Sequence, residues 1–388
     1  MEKLNSLSAS KHDFAKIKLF GYSYVSRILA RPKNMQEILV KKENIATTKV
    51  AVDAPPIKLN SNEVCIEVKK FGLSTNNITY AVFGDAMQYW GYFPKGNGYG
   101  CVPVWGIGEI VETRLSELNK GEKIFGYFPM SSHFKLAPRI DGDFCFTDTS
   151  EHRQQLHSWY NRYYKCSSDP LFSESSSEAQ ILLWALFMTG WKLAETLRAK
   201  ADTIIISSAS SKTSTALAWS LSRMTPRKQI IGLTSERNIS FVNNTNLFDV
   251  VVPYSNIDFD KTAGATAFVD IAGNHEVSAQ IHRTYGDDLG HSVFLGATHR
   301  AMATDEGTLP GPAPELFFIP DEAEAAAKET GFKKFHLDFA KEWAAYVSWA
   351  SGWLDITHAH GVEEIDKGYL RMFSGDFSPS QATIYSWI

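Results

Sequence analysis

Residues 203–218 read TIIISSASSKTSTALA. Thr203, Ile204, Ile205 and Ile206 form a short apolar, β-branched run, as expected of a fully buried strand. A loop of small residues follows at 208–214, containing only Ser, Ala, Thr and one Lys. Residues 214–224 (STALAWSLSRM) then have helical apolar periodicity. A strand that passes through small side chains into a helix exposes backbone N–H groups at the helix N-terminus, where an anion is favoured. Ser208, Ala209, Ser210 and Ser211 would line such a site, with a cation from Lys212 and a hydroxyl from Thr213. The competing reading is a turn that merely packs. Serine carries a Cβ and resists positive φ, and aligning Ser208, Ser211 and Ser214 with the glycines of GxGxxG replaces all of them. A triphosphate-binding P-loop requires GxxxxGK[ST], and its glycines are missing here.

The surroundings support a parallel sheet. Apolar strands at 229–233 (QIIGL), 250–253, 267–271 (AFVDI) and 292–296 (SVFLG) alternate with helical stretches, implying right-handed βαβ crossovers in a doubly wound α/β unit. The second strand ends in Thr234, Ser235, Glu236 and Arg237. Hydroxyls followed by Arg suit a ribose 2′-phosphate better than a free 2′-hydroxyl, which favours NADP over NAD. Upstream, 63–70 (EVCIEVKK) alternates apolar and polar, 105–112 (WGIGEIVE) carries two glycines that mark a bulge or close backbone contact, and 123–128 (KIFGYF) is a third strand. This is the pattern of a partly open β-barrel. A polar linker at 167–177 leads into an apolar helix at 178–197. The expected organisation is a barrel (substrate) domain at 1–176, a dinucleotide domain at 177–335, and C-terminal helices at 336–388 that return to the barrel.

The 388 residues are ample for two cores, and 44% hydrophobic with 21% charged residues is ordinary for a globular protein. A formal net charge of −4 gives no global attraction to nucleic acid or membrane. The polar start of the chain lacks the apolar run of a secretory signal, and the most apolar helical stretch, 181–193, is too short to span a bilayer. A cytoplasmic location is therefore expected, with Cys65, Cys101, Cys145 and Cys166 as free thiols.

In element order and in several motifs the sequence resembles the medium-chain dehydrogenase/reductase superfamily, nearest its quinone- and enoyl-reductase branches. The motifs are 63–72, 102–112 (VPVWGIGEIVE), 118–128 (LNKGEKIFGYF), Thr189 on the linker helix, 268–274 (FVDIAGN) and 294–298 (FLGAT). More narrowly, 74–80 (STNNITY), 89–94 (YWGYFP), 207–213 (SSASSKT) and 317–320 (FFIP) resemble an uncharacterised branch known as a domain of unknown function. The resemblance implies a GroES-like barrel joined to a Rossmann-type domain and pairing of two copies through an edge strand, hence a homodimer. It also implies a nicotinamide beside Thr189, with Gly273, Gly296 and Thr298 flanking the cofactor. Ser74 stands where the zinc-dependent branches place a metal-ligating Cys, and no Gly-His-Glu follows near 96–101. A catalytic zinc needs three protein ligands, so no metal is expected.

Each candidate for chemistry has a structural alternative. Asn76 or Asn77 would hydrogen-bond a carbonyl or the cofactor ribose, or would sit in a turn. Tyr80 would donate a proton to an enolate or alkoxide, or would be a core aromatic with a satisfied hydroxyl. His299, at a strand end, would be an acid or a cofactor contact, or a hydrogen-bonded loop residue. Tyr89, Trp90 and Tyr92 would wall an apolar substrate pocket or pack barrel against helices.

The expected function is an NADP-dependent, zinc-independent oxidoreductase acting on a small-molecule ketone, quinone or activated alkene. The alternatives are a non-redox enzyme on the same scaffold, cleaving a carbon–carbon bond or hydrolysing a carbonyl compound or coenzyme A ester, and a non-catalytic partner in a biosynthetic complex.

Overall fold

The computed structural model describes residues 35–54, 57–257, 264–295, 309–375 and 377–388. Gly296, Thr298 and His299 lie outside the described residues.

Short strands punctuated by Gly, Pro and Asn build the first part. They are Met35–Lys41 (β1), Asn44–Ala54 (β2), Val64–Gly72 (β3), Tyr99–Gly100 (β4), Pro103–Thr113 (β5), Lys123–Pro129 (β6), His133–Leu136 (β7), Pro138–Ile140 (β8), Cys145–Asp148 (β9) and Arg162–Lys165 (β10). The helix Thr75–Val82 (α1) follows β3 directly. β3 and β5 pair antiparallel with register shifts at Cys65/Ile66 and Val68/Lys70. The two glycines of β5 explain how the strands approach so closely. A Cβ on Gly106 would lie 2.6 Å from Lys70 O, and one on Gly108 2.6 Å from Ile66 Cγ2. The bulges bend the sheet, as a partly open barrel requires. β1, β2 and β4 form a separate three-stranded sheet.

The linker helix Ser177–Leu197 (α2) leads into the parallel sheet. It starts one residue earlier than its polarity suggests, because the Ser177 hydroxyl donates to Glu174 O (2.9 Å) within the first turn. There follow Thr203–Ile206 (β11), Lys212–Ser222 (α3), Gln229–Thr234 (β12), Ile239–Asn244 (α4), Val250–Pro253 (β13), Thr266–Asp270 (β14), His275–Tyr285 (α5), Leu289–Phe294 (β15) and Glu315–Leu316 (β16). The six strands lie in the order β13-β12-β11-β14-β15-β16, every pair parallel. This is the doubly wound Rossmann arrangement, and the strand order reverses between β11 and β14. Ile204, Ile205 and Ile206 are fully buried, each contributing roughly 1.5–3 kcal/mol to the core. α2 can cross α3 closely because residue 190 is glycine, since a Cβ there would sit 2.5 Å from Leu217 N.

The rest of the chain forms Ile319–Thr330 (α6), Phe332–Ala350 (α7), Asp355–His360 (β17), Val362–Ser374 (α8) and Gln381–Ser386 (β18). The C-terminal tail, unpatterned in sequence, is thus a β-α-β unit. β17 and β18 pair parallel, and β18 joins β3 antiparallel, making a nine-stranded sheet with the barrel strands. Among the described residues, no helix is long and apolar enough to cross a membrane.

Candidate functional site

The switch point of the parallel sheet is built by hydrogen bonds around Asp270. This buried carboxylate accepts from the Ser207 hydroxyl (2.9 Å), the Gly273 amide (2.8 Å) and the Ser278 hydroxyl (2.7 Å). The Ser207 oxygen in turn accepts from the Ile271 amide at 2.8 Å. The carboxyl ends of β11 and β14 are therefore tied together at the crevice where ligands bind in open α/β sheets.

The serine loop follows. Ser208 has φ +52°, so a serine occupies the left-handed backbone that the sequence pattern assigns to glycine. Its amide donates to the Tyr254 hydroxyl at 2.6 Å. Ser211 caps α3, its hydroxyl oxygen accepting from Ser214 N at 3.1 Å. Ser214 is fully buried and donates to Ser207 O at 3.1 Å, so it fills the close-packing position by bonding instead of by being small. Ser210 accepts from Asn238 Nδ2 at 3.0 Å, which joins the loop to the end of β12. Among the described residues, the amides of Ser210, Lys212 and Thr213 donate to no protein group and lie on residues that line the cleft. The Lys212 and Thr213 amides are unsatisfied first-turn donors of the kind an anion bridges, and the Ser210 amide lies just ahead of them.

Lys212 behaves unexpectedly. Its Nζ donates to the backbone carbonyls of Pro379 (3.1 Å) and Gln381 (2.9 Å). Burial brings its pKa down to about 8.

On the barrel side, residues 74–80 cap and begin α1. Ser74 and Asn77 form a capping box that starts α1, with Ser74 N donating to Asn77 Oδ1 at 2.7 Å. Asn77 is buried and its Nδ2 donates to Pro103 O at 2.8 Å, so its amide is committed to the fold. One turn apart on the other face, Asn76 Nδ2 donates to the Tyr80 hydroxyl at 2.7 Å. Trp105 Nε1 also donates to that oxygen, at 3.4 Å. Burial raises the Tyr80 pKa, and these donors partly offset the rise. Tyr89, Tyr127 and Tyr160 pack their rings around it.

The two halves meet in one cleft of about 570 Å³. Of the expected residues, Asn76, Tyr80, Tyr89, Thr189, Ser208, Ser210, Ser211, Lys212, Thr213 and Arg237 line it. Thr189 Oγ1 donates to Ala185 O (2.8 Å) on its own helix. Ala209, Ser235, Gly273, Trp90 and Tyr92 are not among the lining residues. Ala209 is fully buried, with its amide donating to Leu233 O at 2.9 Å. Gly273 has φ +67° and spends its amide on Asp270. Trp90 fills the space left by Gly84 and Gly100, and the Tyr92 hydroxyl donates to His157 O at 3.0 Å. Both aromatics belong to the barrel core. Asn238, Tyr160, Thr357, Arg371 and Thr383 also line the cleft. None carried a sequence signal, because fold alone brings them there. Among the described residues, no group of three or more His, Cys, Asp or Glu side chains could hold a metal ion.

Comparison with known proteins gives a family and a fold. The sequence profile described as "Protein of unknown function (DUF2855)" matches residues 71–378. No curated protein matches the chain in sequence. Among solved structures, CurA from Vibrio vulnificus superposes with a TM-score of 0.57 at 12% identity, covering 91% of this chain and 99% of that one. The same protein has also been solved in complex with NADPH. The quinone oxidoreductase from Coxiella burnetii gives a TM-score of 0.52 at 13% identity, with 91% and 99% covered. A mutant enoyl thioester reductase from Candida tropicalis gives 0.54 at 12% identity, with 91% and 100% covered. The fold is that of the medium-chain dehydrogenase/reductases, a GroES-like domain with a Rossmann-type domain.

Proposed function

The chain belongs to the DUF2855 family, and from that premise we propose that it is an NADP-dependent, zinc-independent oxidoreductase reducing a ketone, quinone or activated alkene. The observation that carries the reading is the single cleft that joins the serine loop and Arg237 to Thr189 and Tyr80. NADPH-bound CurA and the quinone and enoyl thioester reductases share the fold, which makes the cofactor a natural occupant.

The residues fit a dinucleotide. The amides of Ser210, Lys212 and Thr213 would hold its pyrophosphate. Arg237, which makes no ion pair among the described residues, would hold the 2′-phosphate beside Asn238. When bound, the cofactor supplies a hydride.

The chain's own residues supply orientation and a proton. Asn76 and Trp105 direct their N–H groups at the Tyr80 oxygen, so neither takes the tyrosine proton, which would point into the cleft. Tyr80 is thus the donor for an oxygen or carbon that becomes basic as the substrate is reduced. The Tyr89, Trp105 and Tyr160 rings exclude water from that end.

The purified chain, incubated with NADPH and a panel of quinones, enones and ketones, should consume reduced nicotinamide with at least one class. Binding of NADPH with no turnover of any class would count against the redox reading. Product formation without nicotinamide consumption would favour a non-redox enzyme.

A further inference from the structure

Among the described residues, the charged groups lining the cleft are Lys212, Arg237 and Arg371, all cations, in a chain whose formal net charge is −4. They come from three separate places. Arg237 stands just beyond β12 and Lys212 opens α3, both at the dinucleotide end. Arg371 lies in the last turn of α8, which packs against α1, the helix of Asn76 and Tyr80.

Arg371 is exposed, and its guanidinium makes no hydrogen bond or ion pair among the described residues. Its backbone carbonyl, by contrast, is fully used, accepting from the Ser374 hydroxyl (3.0 Å) and the Gly375 amide (3.1 Å). The helix C-terminus favours a cation there, so among the described residues the charge is held without a carboxylate partner. Nearby strands add hydroxyls. Thr357 Oγ1 and Thr383 Oγ1 lie 3.0 Å apart on β17 and β18, and both residues line the cleft. Lys212 is bound to the same C-terminal segment through Pro379 O and Gln381 O. The C-terminal return thus places a cationic, hydroxyl-lined corner in the cleft.

We propose that this corner, with Arg371 as its anchor, holds an oxyanion group of the substrate, a carboxylate or a phosphate remote from the reacting carbon. The substrates are then anionic carbonyl or alkene compounds. The inference rests on the reading above that a dinucleotide occupies the serine-loop end and leaves the Arg371 corner to the substrate.

The test uses the full chain and three probes: acetylacrylate, its neutral methyl ester, and crotonyl-coenzyme A. Each is titrated with NADPH present, following tryptophan fluorescence for binding and nicotinamide absorbance for turnover. At least one anion should bind about tenfold or more tightly than the neutral ester, as a charge-assisted contact implies. Preference for acetylacrylate identifies a carboxylate, and preference for the thioester a phosphate. Arg371→Met should abolish the advantage and Arg371→Lys should keep part of it, with NADPH affinity and thermal stability unchanged in both. Equal binding of the neutral ester overturns the proposal. So does an anion preference that survives Arg371→Met, or an Arg371→Met variant that loses NADPH affinity by the same factor. Arg371-dependent binding of an anion without NADPH binding or turnover would sink the redox reading and leave the anion site standing.

Discussion

Lys212 Nζ donates to the carbonyl oxygen of Gln381 at 2.9 Å, across 169 residues of sequence. The one cation of the serine loop is thereby held by the C-terminal strand segment, between two neutral acceptors. Its pKa of about 8 follows from that burial. A bound phosphate favours the charged form, so NADPH affinity should fall as the pH rises through about 8. In Lys212→Met the affinity should be weak and flat across the same range. The sign for stability is opposite. The folded-state pKa lies below the ordinary lysine value, so protonation penalises the fold, fully at pH values below about 8. Stability should therefore rise with pH between about 8 and the ordinary lysine range, and Lys212→Met should remove that slope in denaturant titrations.

Ser208 holds φ +52° without the freedom of glycine. A left-handed conformation costs an ordinary residue roughly 1–2 kcal/mol. Ser208→Gly should therefore stabilise the protein by up to about 1 kcal/mol, partly offset by the greater freedom of glycine in the unfolded chain. NADPH affinity should be retained, because the Ser208 amide and not its side chain bonds Tyr254. Ser208→Val should destabilise. Urea unfolding of the three proteins, with NADPH titration of each, checks this.

Tyr80 is read as the proton donor, oriented by Asn76 and Trp105. Tyr80→Phe should lower kcat by about 100-fold or more and leave the NADPH dissociation constant within about twofold. Asn76→Ala should give a smaller loss in kcat. Steady-state kinetics on an active substrate, beside direct NADPH titration, separates the two effects.

Asp270 bonds to Ser207, Gly273 and Ser278 while almost wholly buried. Asp270→Ala leaves those donors unsatisfied and should cost about 3 kcal/mol of stability or more. NADPH affinity should fall with it, because the tie between β11 and β14 sets the serine loop. Chemical denaturation and cofactor titration of the same variant measure both.

Much of the fold was legible in residues 203–218 and their surroundings, because buried parallel strands and amphipathic helices differ in length and period. The serine loop meets the backbone demands of the glycine pattern with other residues. A backbone position needing positive φ was filled by Ser208, and the close-packing position by a buried, hydrogen-bonded Ser214. The α1 helix is hard to read from sequence because its start signal, the Ser74–Asn77 capping box, lies in a stretch of turn-forming residues. Trp90 and Tyr92 are aromatic like Tyr89, and only packing decides which ring reaches the cleft. Arg371, Thr357 and Thr383 could not be found at all. Their place depends on a C-terminal strand pairing with β3, a contact no local pattern encodes.

The proposed NADP site is formed by the serine loop and Arg237. Isothermal titration of the full chain with NADPH and with NADH measures it most directly. NADPH should bind at least about tenfold more tightly than NADH, and Arg237→Ala should remove the difference with little effect on NADH. No heat of binding with either nucleotide, or equal affinities unaffected by Arg237→Ala, would contradict it.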